Sequence, residues 1–225
     1  MERLEKILSL SDPVDTMADI GTDHGFVPYT FLKEKKANFA IATDISSPSL
    51  EKAKALCESW GSEKIQCRLG DGLAPLKPGE CQAIVIAGMG GNLIYTILQK
   101  GMEIAKFCKY LILQPMQAVD FLRENLEDLG FYIEKEDIAY ERGKYYHIFK
   151  VIYNPDLCKE NQDPYRAFLK DKSPIKKAWI DYEIKRLENL SSFIKKAQDP
   201  SRQEEKLEEV EKKLLKLREW LDAFC

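Results

Sequence analysis

The chain has 225 residues, 44% of them hydrophobic, with a formal charge of −3 and six cysteines. That length suits one α/β domain of about 150 residues plus an appendage. No apolar run reaches the roughly 18 residues a membrane span needs. Met1-Glu-Arg-Leu-Glu-Lys6 lacks the apolar core of a signal peptide, and no two cysteines stand in CxxC spacing, which argues against a zinc ribbon or redox motif. Scattered thiols fit a reducing cytoplasm, the expected location; no membrane association and no metal site are expected.

Charge is uneven along the chain. Residues 1–154 hold 18 Lys+Arg against 22 Asp+Glu, net −4, whereas 159–196 hold 10 against 6, net +4. A modest basic stretch beside an acidic domain points to a polyanionic partner; the alternative is a solvated helix face.

In chain order, short apolar runs bounded by Gly, Pro or Asp predict strands at Thr16–Gly21, Phe39–Asp44, Lys64–Gly70, Gln82–Ala87 and Tyr110–Gln114. Near-continuous apolarity, as in Ala83-Ile-Val-Ile-Ala87, suits parallel strands buried on both faces. Helical spacing predicts helices near Pro28–Lys36, Pro48–Trp60, Asn92–Phe107 and Ala118–Leu129, the second capped by Ser46 or Ser47 and the last ended by Gly130. Phe131–Tyr140 and Lys144–Tyr153, joined through Gly143, form a hairpin. The expected fold class is α/β: a Rossmann-like mixed sheet with an antiparallel edge strand.

Beyond Asn154-Pro155 the composition shifts, giving expected domains 1–154 and 155–225. Ile180, Ile184, Leu187 and Ile194, with Ser191 in the missing slot, and Leu207, Val210, Leu214, Leu217 and Leu221 trace two coiled-coil seams. Ala197-Gln-Asp-Pro200-Ser201 separates them, and Ser201-x-x-Glu204 opens the second helix as a capping box. An antiparallel helical hairpin is expected.

The first strand runs into Asp19-Ile-Gly21-Thr-Asp23-His24-Gly25, and the second ends in Asp44. This is the front half of a nucleotide-binding unit, but Asp23 stands where a dinucleotide fingerprint needs glycine. The next helix is expected to start late, near Val27-Pro28, away from the loop. Asp19 and Asp23 would repel a pyrophosphate yet suit a cation. Charge therefore favours S-adenosylmethionine, which has an ammonium and a sulfonium and no phosphate, over NAD. Asp44 offers two acceptors for ribose hydroxyls, or serves as a helix N-cap. Asp71, between Gly70 and Gly72, offers an acceptor for an adenine amino group, or is a turn residue. Three carboxylates end the first three strands, all on the carboxyl edge of one sheet, which favours a ligand site.

Asp19-Ile-Gly-Thr-Asp-His-Gly25, Ala87-Gly-Met-Gly-Gly-Asn92 and Leu113-Gln-Pro-Met-Gln117 together resemble the bacterial tRNA (adenine(22)-N1)-methyltransferases, the TrmK family, over the whole chain. The resemblance implies a class I methyltransferase fold, S-adenosylmethionine as donor, and N1 of an adenine in tRNA as acceptor. The family's cofactor positions fall on Asp19, Gly21, Asp44, Asp71, Gly72 and the Gly88–Gly91 turn, in it Gly88, Met89 and Gly90.

For the chemistry, the glycines after the fourth strand leave room for a flat ring, and Asn92 can read an adenine edge or cap the following helix. His24 is a substrate-contact candidate or a loop imidazole bonding backbone. Tyr29 is a stacking candidate or a core residue. Gln114 or Gln117 is placed to line the base pocket, and His147 reads as structural. The basic residues Lys170, Lys172, Lys176, Lys177 and Arg186 are candidates to track tRNA phosphates. A monomer is the favoured state. The competing class is a non-catalytic nucleoside-binding module that uses its coiled coil to bind a protein, with a dehydrogenase third.

Overall fold

The computed structural model describes residues 2–60, 63–160, 163–196 and 200–224, with backbone only for 200–203. The chain divides into two compact units, Met1–Phe168 and Leu169–Cys225.

The first unit begins with α1 (Arg3–Leu10), followed by β1 (Val14–Ile20), α2 (Phe26–Lys33), β2 (Ala37–Asp44), α3 (Ser47–Ser59) and β3 (Ile65–Leu69). Next come β4 (Ala83–Met89), α4 (Gly91–Lys100), α5 (Met102–Ala105), β5 (Tyr110–Pro115) and α6 (Val119–Asn125). The hairpin strands β6 (Phe131–Glu141) and β7 (Lys144–Tyr153) and the short helices α7 (Pro155–Glu160) and α8 (Arg166–Lys170) follow. The sheet has seven strands in the order β3-β2-β1-β4-β5-β7-β6. The chain order reverses between β1 and β4, which are parallel neighbours, and the carboxyl ends of these strands open the crevice where ligands bind in such sheets.

The central strands are apolar throughout because both faces are covered. Ala83 and Val85 join one buried cluster and Ile84 and Ile86 the other, alternating as a strand's side chains must. The antiparallel strand differs from expectation. It is β7, between β5 and β6, while β6 occupies the edge. The β6–β7 turn is tight: Arg142 has φ +49 and Gly143 +80, so both central residues are left-handed.

The expected helix Asn92–Phe107 is broken. α4 stops at Gly101, where a Cβ would lie 2.5 Å from Leu73 Cδ1, and α5 restarts beyond it. Ser46 caps α3, its Oγ accepting the Ser49 N–H at 3.4 Å. Gly130, φ +78, ends a short 3₁₀ turn that extends α6.

Arg123, Glu136 and His147 form a buried polar core between α6 and the hairpin, consistent with a structural role for His147. The Arg123 guanidinium donates to Glu136 through Nε (3.0 Å) and Nη2 (2.5 Å), and His147 Nδ1 lies 2.7 Å from the same carboxylate. Burial pushes the Glu136 carboxyl up, but Arg123 and His147 outweigh it and hold it down at about 2.

The first unit extends past residue 154 because the next segment packs on it. Arg166 pairs with Glu127 at 2.6 Å and lies over the Tyr132 ring, and Phe168 faces the His147 ring. The second unit is a helical hairpin of α9 (Pro174–Lys196) and α10 (Pro200–Ala223). Glu188 pairs with Arg218 and Lys195 with Glu211, so the arms run antiparallel. Ile180, Ile184, Leu187 and Ser191 are buried along one arm and Val210, Leu214, Leu217 and Trp220 along the other; Trp220 takes the buried place expected for Leu221. Of the expected linker 197–201, residues 197–199 lie outside the described residues, whereas Pro200 and Ser201 already belong to α10, so the helix starts before Ser201 and Ser201 is not its N-cap.

Candidate active site

The loop after β1 is set by backbone bonds to the neighbouring strand. Gly21 and Thr22 both donate N–H groups to the Thr43 carbonyl, at 2.8 and 2.9 Å. Gly21, at φ +76, takes a conformation glycine adopts freely. Asp23 adopts a left-handed conformation too, at φ +44, despite its side chain. Gly25 is the N-cap of α2, which starts at Phe26, so the helix N-terminus adjoins the loop instead of lying beyond it.

A cavity of about 530 Å³ opens here, walled by Asp19, Gly21, Thr22 and His24 on one side and by Ala87 and Gly88 at the end of β4 on the other. Asp19 is buried, 3% exposed, and burial pushes its carboxyl up to about 7, with Asp44 nearby adding to the effect. The Thr22 hydroxyl lies close enough to favour the ionised form, but it is buried and completes no hydrogen bond. A costly carboxylate beside an orphaned hydroxyl fits a cationic ligand group that donates hydrogen bonds. Gly88, φ +82, has open space where a Cβ would stand.

Asp44 adjoins this cavity. Its Oδ1 accepts the Ser46 N–H at 2.8 Å and its Oδ2 the Asp23 N–H at 3.3 Å, leaving further lone pairs on both oxygens. The Asp44 carbonyl receives Gly70 N–H at 3.0 Å, which brings the Gly70-Asp71-Gly72 loop alongside. Asp71 and Gly72 line a second cavity of about 280 Å³ with Leu93 and Ile97 of α4. Met89 reaches over Gly21: a Cβ there would lie 2.2 Å from Met89 Cε.

Among the catalytic candidates, His24 lines the main cavity, half exposed, with Nε2 3.3 Å from Asp23 Oδ2. Asn92 is exposed in the first turn of α4, whose N-cap is Gly90, so Asn92 is not the cap. Tyr29 packs on Trp60, ring centroids 3.6 Å apart, in a row that continues through Phe26 toward His24. Gln114 is wholly buried and Gln117 is exposed. In the second unit Lys170, Lys172 and Arg186 are exposed, Arg186 paired with Glu183 at 2.7 Å, and Lys177 is half-buried. Lys176 is wholly buried, with Nζ 3.9 Å from Asp171, and an ammonium so enclosed cannot reach a phosphate at the surface.

Other cavity residues escaped the sequence reading: Arg3 and Ile7 of α1, Phe26, and Glu141 and Arg142 at the hairpin tip. The signal for α1 was present in Leu4, Ile7 and Leu8 at helical spacing behind a Glu2/Glu5 capping box.

Residues 1–149 match the family model described as a methyltransferase domain. The tRNA (adenine(22)-N(1))-methyltransferase of Bacillus subtilis is 32% identical over 98% of this chain and 96% of the relative. The chain belongs to this family. The crystal structure of the B. subtilis M1A22 tRNA methyltransferase TrmK matches with a TM-score of 0.82 at 30% identity, over 97% of each chain. A Streptococcus pneumoniae structure in complex with S-adenosyl-L-methionine matches with a TM-score of 0.82 at 30% identity, over 98% of this chain and all of the other. A likeness so complete covers both units, so the helical hairpin is part of what the family shares. Among the described residues no helix is long and apolar enough to cross a membrane, and no cluster of side chains could hold a metal ion.

Proposed function

We infer that this protein transfers a methyl group from S-adenosylmethionine to N1 of adenine 22 in tRNA. The observation that carries the inference is the buried Asp19 carboxylate beside the unpartnered Thr22 hydroxyl, in a chain that aligns end to end with the B. subtilis enzyme. When bound, S-adenosylmethionine supplies a methyl group on a positively charged sulfur, which a ring nitrogen displaces in line.

The chain's own residues hold and align. Asp19 and Thr22 receive the ammonium end, Asp44 accepts from the ribose hydroxyls, and Asp71 and Gly72 flank the adenine of the donor. Adenine N1 has a lone pair and no proton to lose, so no strong general base is required. The task is alignment, which supplies several kcal/mol of a displacement barrier. The methylated ring is cationic, and the carboxylates and loop carbonyls stabilise that charge as it develops. The Gly88-Met89-Gly90 turn leaves room for a flat base withdrawn from its stack, with His24 and Asn92 as contacts at its edge and Tyr29 supporting the aromatic row through Trp60 and Phe26. Lys170, Lys172 and Arg186 contact phosphates, with Lys177 in a lesser part. The enzyme acts as a monomer in the cytoplasm.

The test is incubation with unmodified tRNA and methyl-labelled donor, digestion to nucleosides, and reverse transcription across the product. Labelled 1-methyladenosine and a stall at position 22 are expected. Label absent from RNA would overturn the assignment.

A further inference from the structure

The Gln114-Pro-Met-Gln117 segment is fastened to the glycine turn at three successive points. Gln114 Oε1 accepts the Gly88 N–H at 3.1 Å, Met116 N–H donates to the Met89 carbonyl at 2.8 Å, and Gly91 N–H donates to the Gln117 carbonyl at 2.8 Å. The first contact differs in kind, because it uses a side chain. The β4–β5 register shifts between Ala87 and Met89, so Gly88 stands in a bulge where the ladder leaves the extra residue without a strand partner. The amide of Gln114 replaces that partner.

Gln114 is 0% exposed, and both ends of its amide are used. Oε1 also receives Arg3 Nη1 from α1 at 3.4 Å, and Nε2 donates to the Pro115 carbonyl at 2.9 Å. With Oε1 facing two donors and Nε2 facing an acceptor, only one orientation of the amide satisfies its neighbours. A buried amide so constrained is a poor choice for packing alone, since an apolar side chain of the same size would carry no desolvation cost.

We propose that Gln114 is a positioning residue for methyl transfer: it fixes the Gly88 peptide at the cavity wall so that the turn presents one backbone geometry to the target adenine, with Arg3 holding the amide in place. Gln114 touches neither donor nor base and acts through Gly88. The inference rests on the methyltransferase reading above.

The experiment compares Gln114→Glu and Gln114→Met with the wild type, measuring kcat and KM for tRNA, the Kd for S-adenosylmethionine by calorimetry, and Tm. Gln114→Glu keeps an acceptor for Gly88 and for Arg3; Gln114→Met keeps the volume and loses both bonds. Gln114→Met is expected to lower kcat by about 100-fold, as small misplacements of a reacting group do, with tRNA KM within about threefold of wild type and any weakening of donor Kd smaller than the loss in kcat. Gln114→Glu is expected to recover at least about tenfold of that loss, whatever its Tm. Equal kcat for Gln114→Met and wild type, or kcat losses in both variants that merely track Tm, would overturn the role. A wild type that binds the donor but leaves tRNA unmethylated would instead overturn the functional assignment, so the two failures are separable.

Discussion

The Asp44 carboxylate accepts the Asp23 N–H at 3.3 Å, tying the end of β2 to the loop after β1. One side chain therefore shapes the glycine loop and presents acceptors to a ribose. Replacing it with Ala removes both functions, whereas Asn keeps one acceptor. Asp44→Ala is expected to weaken S-adenosylmethionine binding by about 10- to 100-fold, the worth of charge-assisted hydrogen bonds, and Asp44→Asn by less. Calorimetry decides; an unchanged Kd in Asp44→Ala would remove Asp44 from the ligand site.

Asp19 makes binding and stability respond oppositely to pH. Its carboxyl is pushed from 3.8 to about 7 by burial. The folded protein thus holds a proton that the unfolded chain has released, and the Asp19 contribution to stability falls as pH rises from about 3.8 to 7. A cationic ligand needs the ionised form, so donor affinity should rise with pH through the same range and level off above it. Asp19→Asn should be more stable than wild type at pH 8, by on the order of a few kcal/mol at most, and bind the donor at least about tenfold more weakly. Thermal melts and titrations between pH 5.5 and pH 8.5 test both arms, and a donor affinity independent of pH would count against Asp19 as the counter-ion.

Gly91 is fixed by space. A Cβ there would meet the Ala118 carbonyl oxygen at 2.3 Å, a backbone atom that cannot swing away. Gly91→Ala should lower Tm by about 3–10 °C through overpacking and displace the turn. Gly143→Ala, at the hairpin tip with nothing within 4 Å, carries only backbone strain and serves as the control.

The Arg123–Glu136 pair is a second pH-sensitive element with the opposite sign. The Glu136 carboxyl sits at about 2 against 4.5 unperturbed, so its contribution is complete above pH 4.5 and is lost as pH falls toward 2. Glu136→Gln removes the buried one of the two carboxylates that face Arg123, leaving only the more exposed Asp120 at 2.6 Å, and should cost up to about 3 kcal/mol at pH 7 in a denaturant titration. The deficit should shrink on acidification toward pH 3.

Lys170 and Lys172 are the exposed cations that open the second unit. Reversing both to Glu should weaken tRNA binding and flatten the plot of log K against log salt by about 0.7–0.9 per lost phosphate contact, with donor Kd unchanged. An unaltered salt slope would take these lysines out of the interface.

The parallel strands were legible because burial on both faces forces unbroken apolar runs, and each was found within a few residues. Asp19 and Asp71 were legible because glycines mark the turns beside them, and Asp44 because it closes an apolar run. What escaped depends on contacts distant in sequence. The junction at Gly101 is crowded by Leu73, which leaves no room for a side chain there, and the extent of the first unit follows from Arg166 and Phe168 packing on Glu127, Tyr132 and His147. Charge alone placed Lys176 among the candidate phosphate contacts, but the folded chain encloses it. Arg142 at the cavity mouth was hidden because only the hairpin's placement brings its tip there.

The placement of β7 between β5 and β6 has a bearing on synthesis. A nascent chain that has emerged only as far as Glu141 can build β1 through β5, but the outer edge of β5 must stay bare, since the strand that covers it comes last. Leu111, Ile112 and Leu113 are then an open template for pairing with another molecule until Lys144–Tyr153 arrives. Slow translation across residues 131–153 would prolong that exposure, which makes this stretch the point at which a newly made molecule is most open to misassembly.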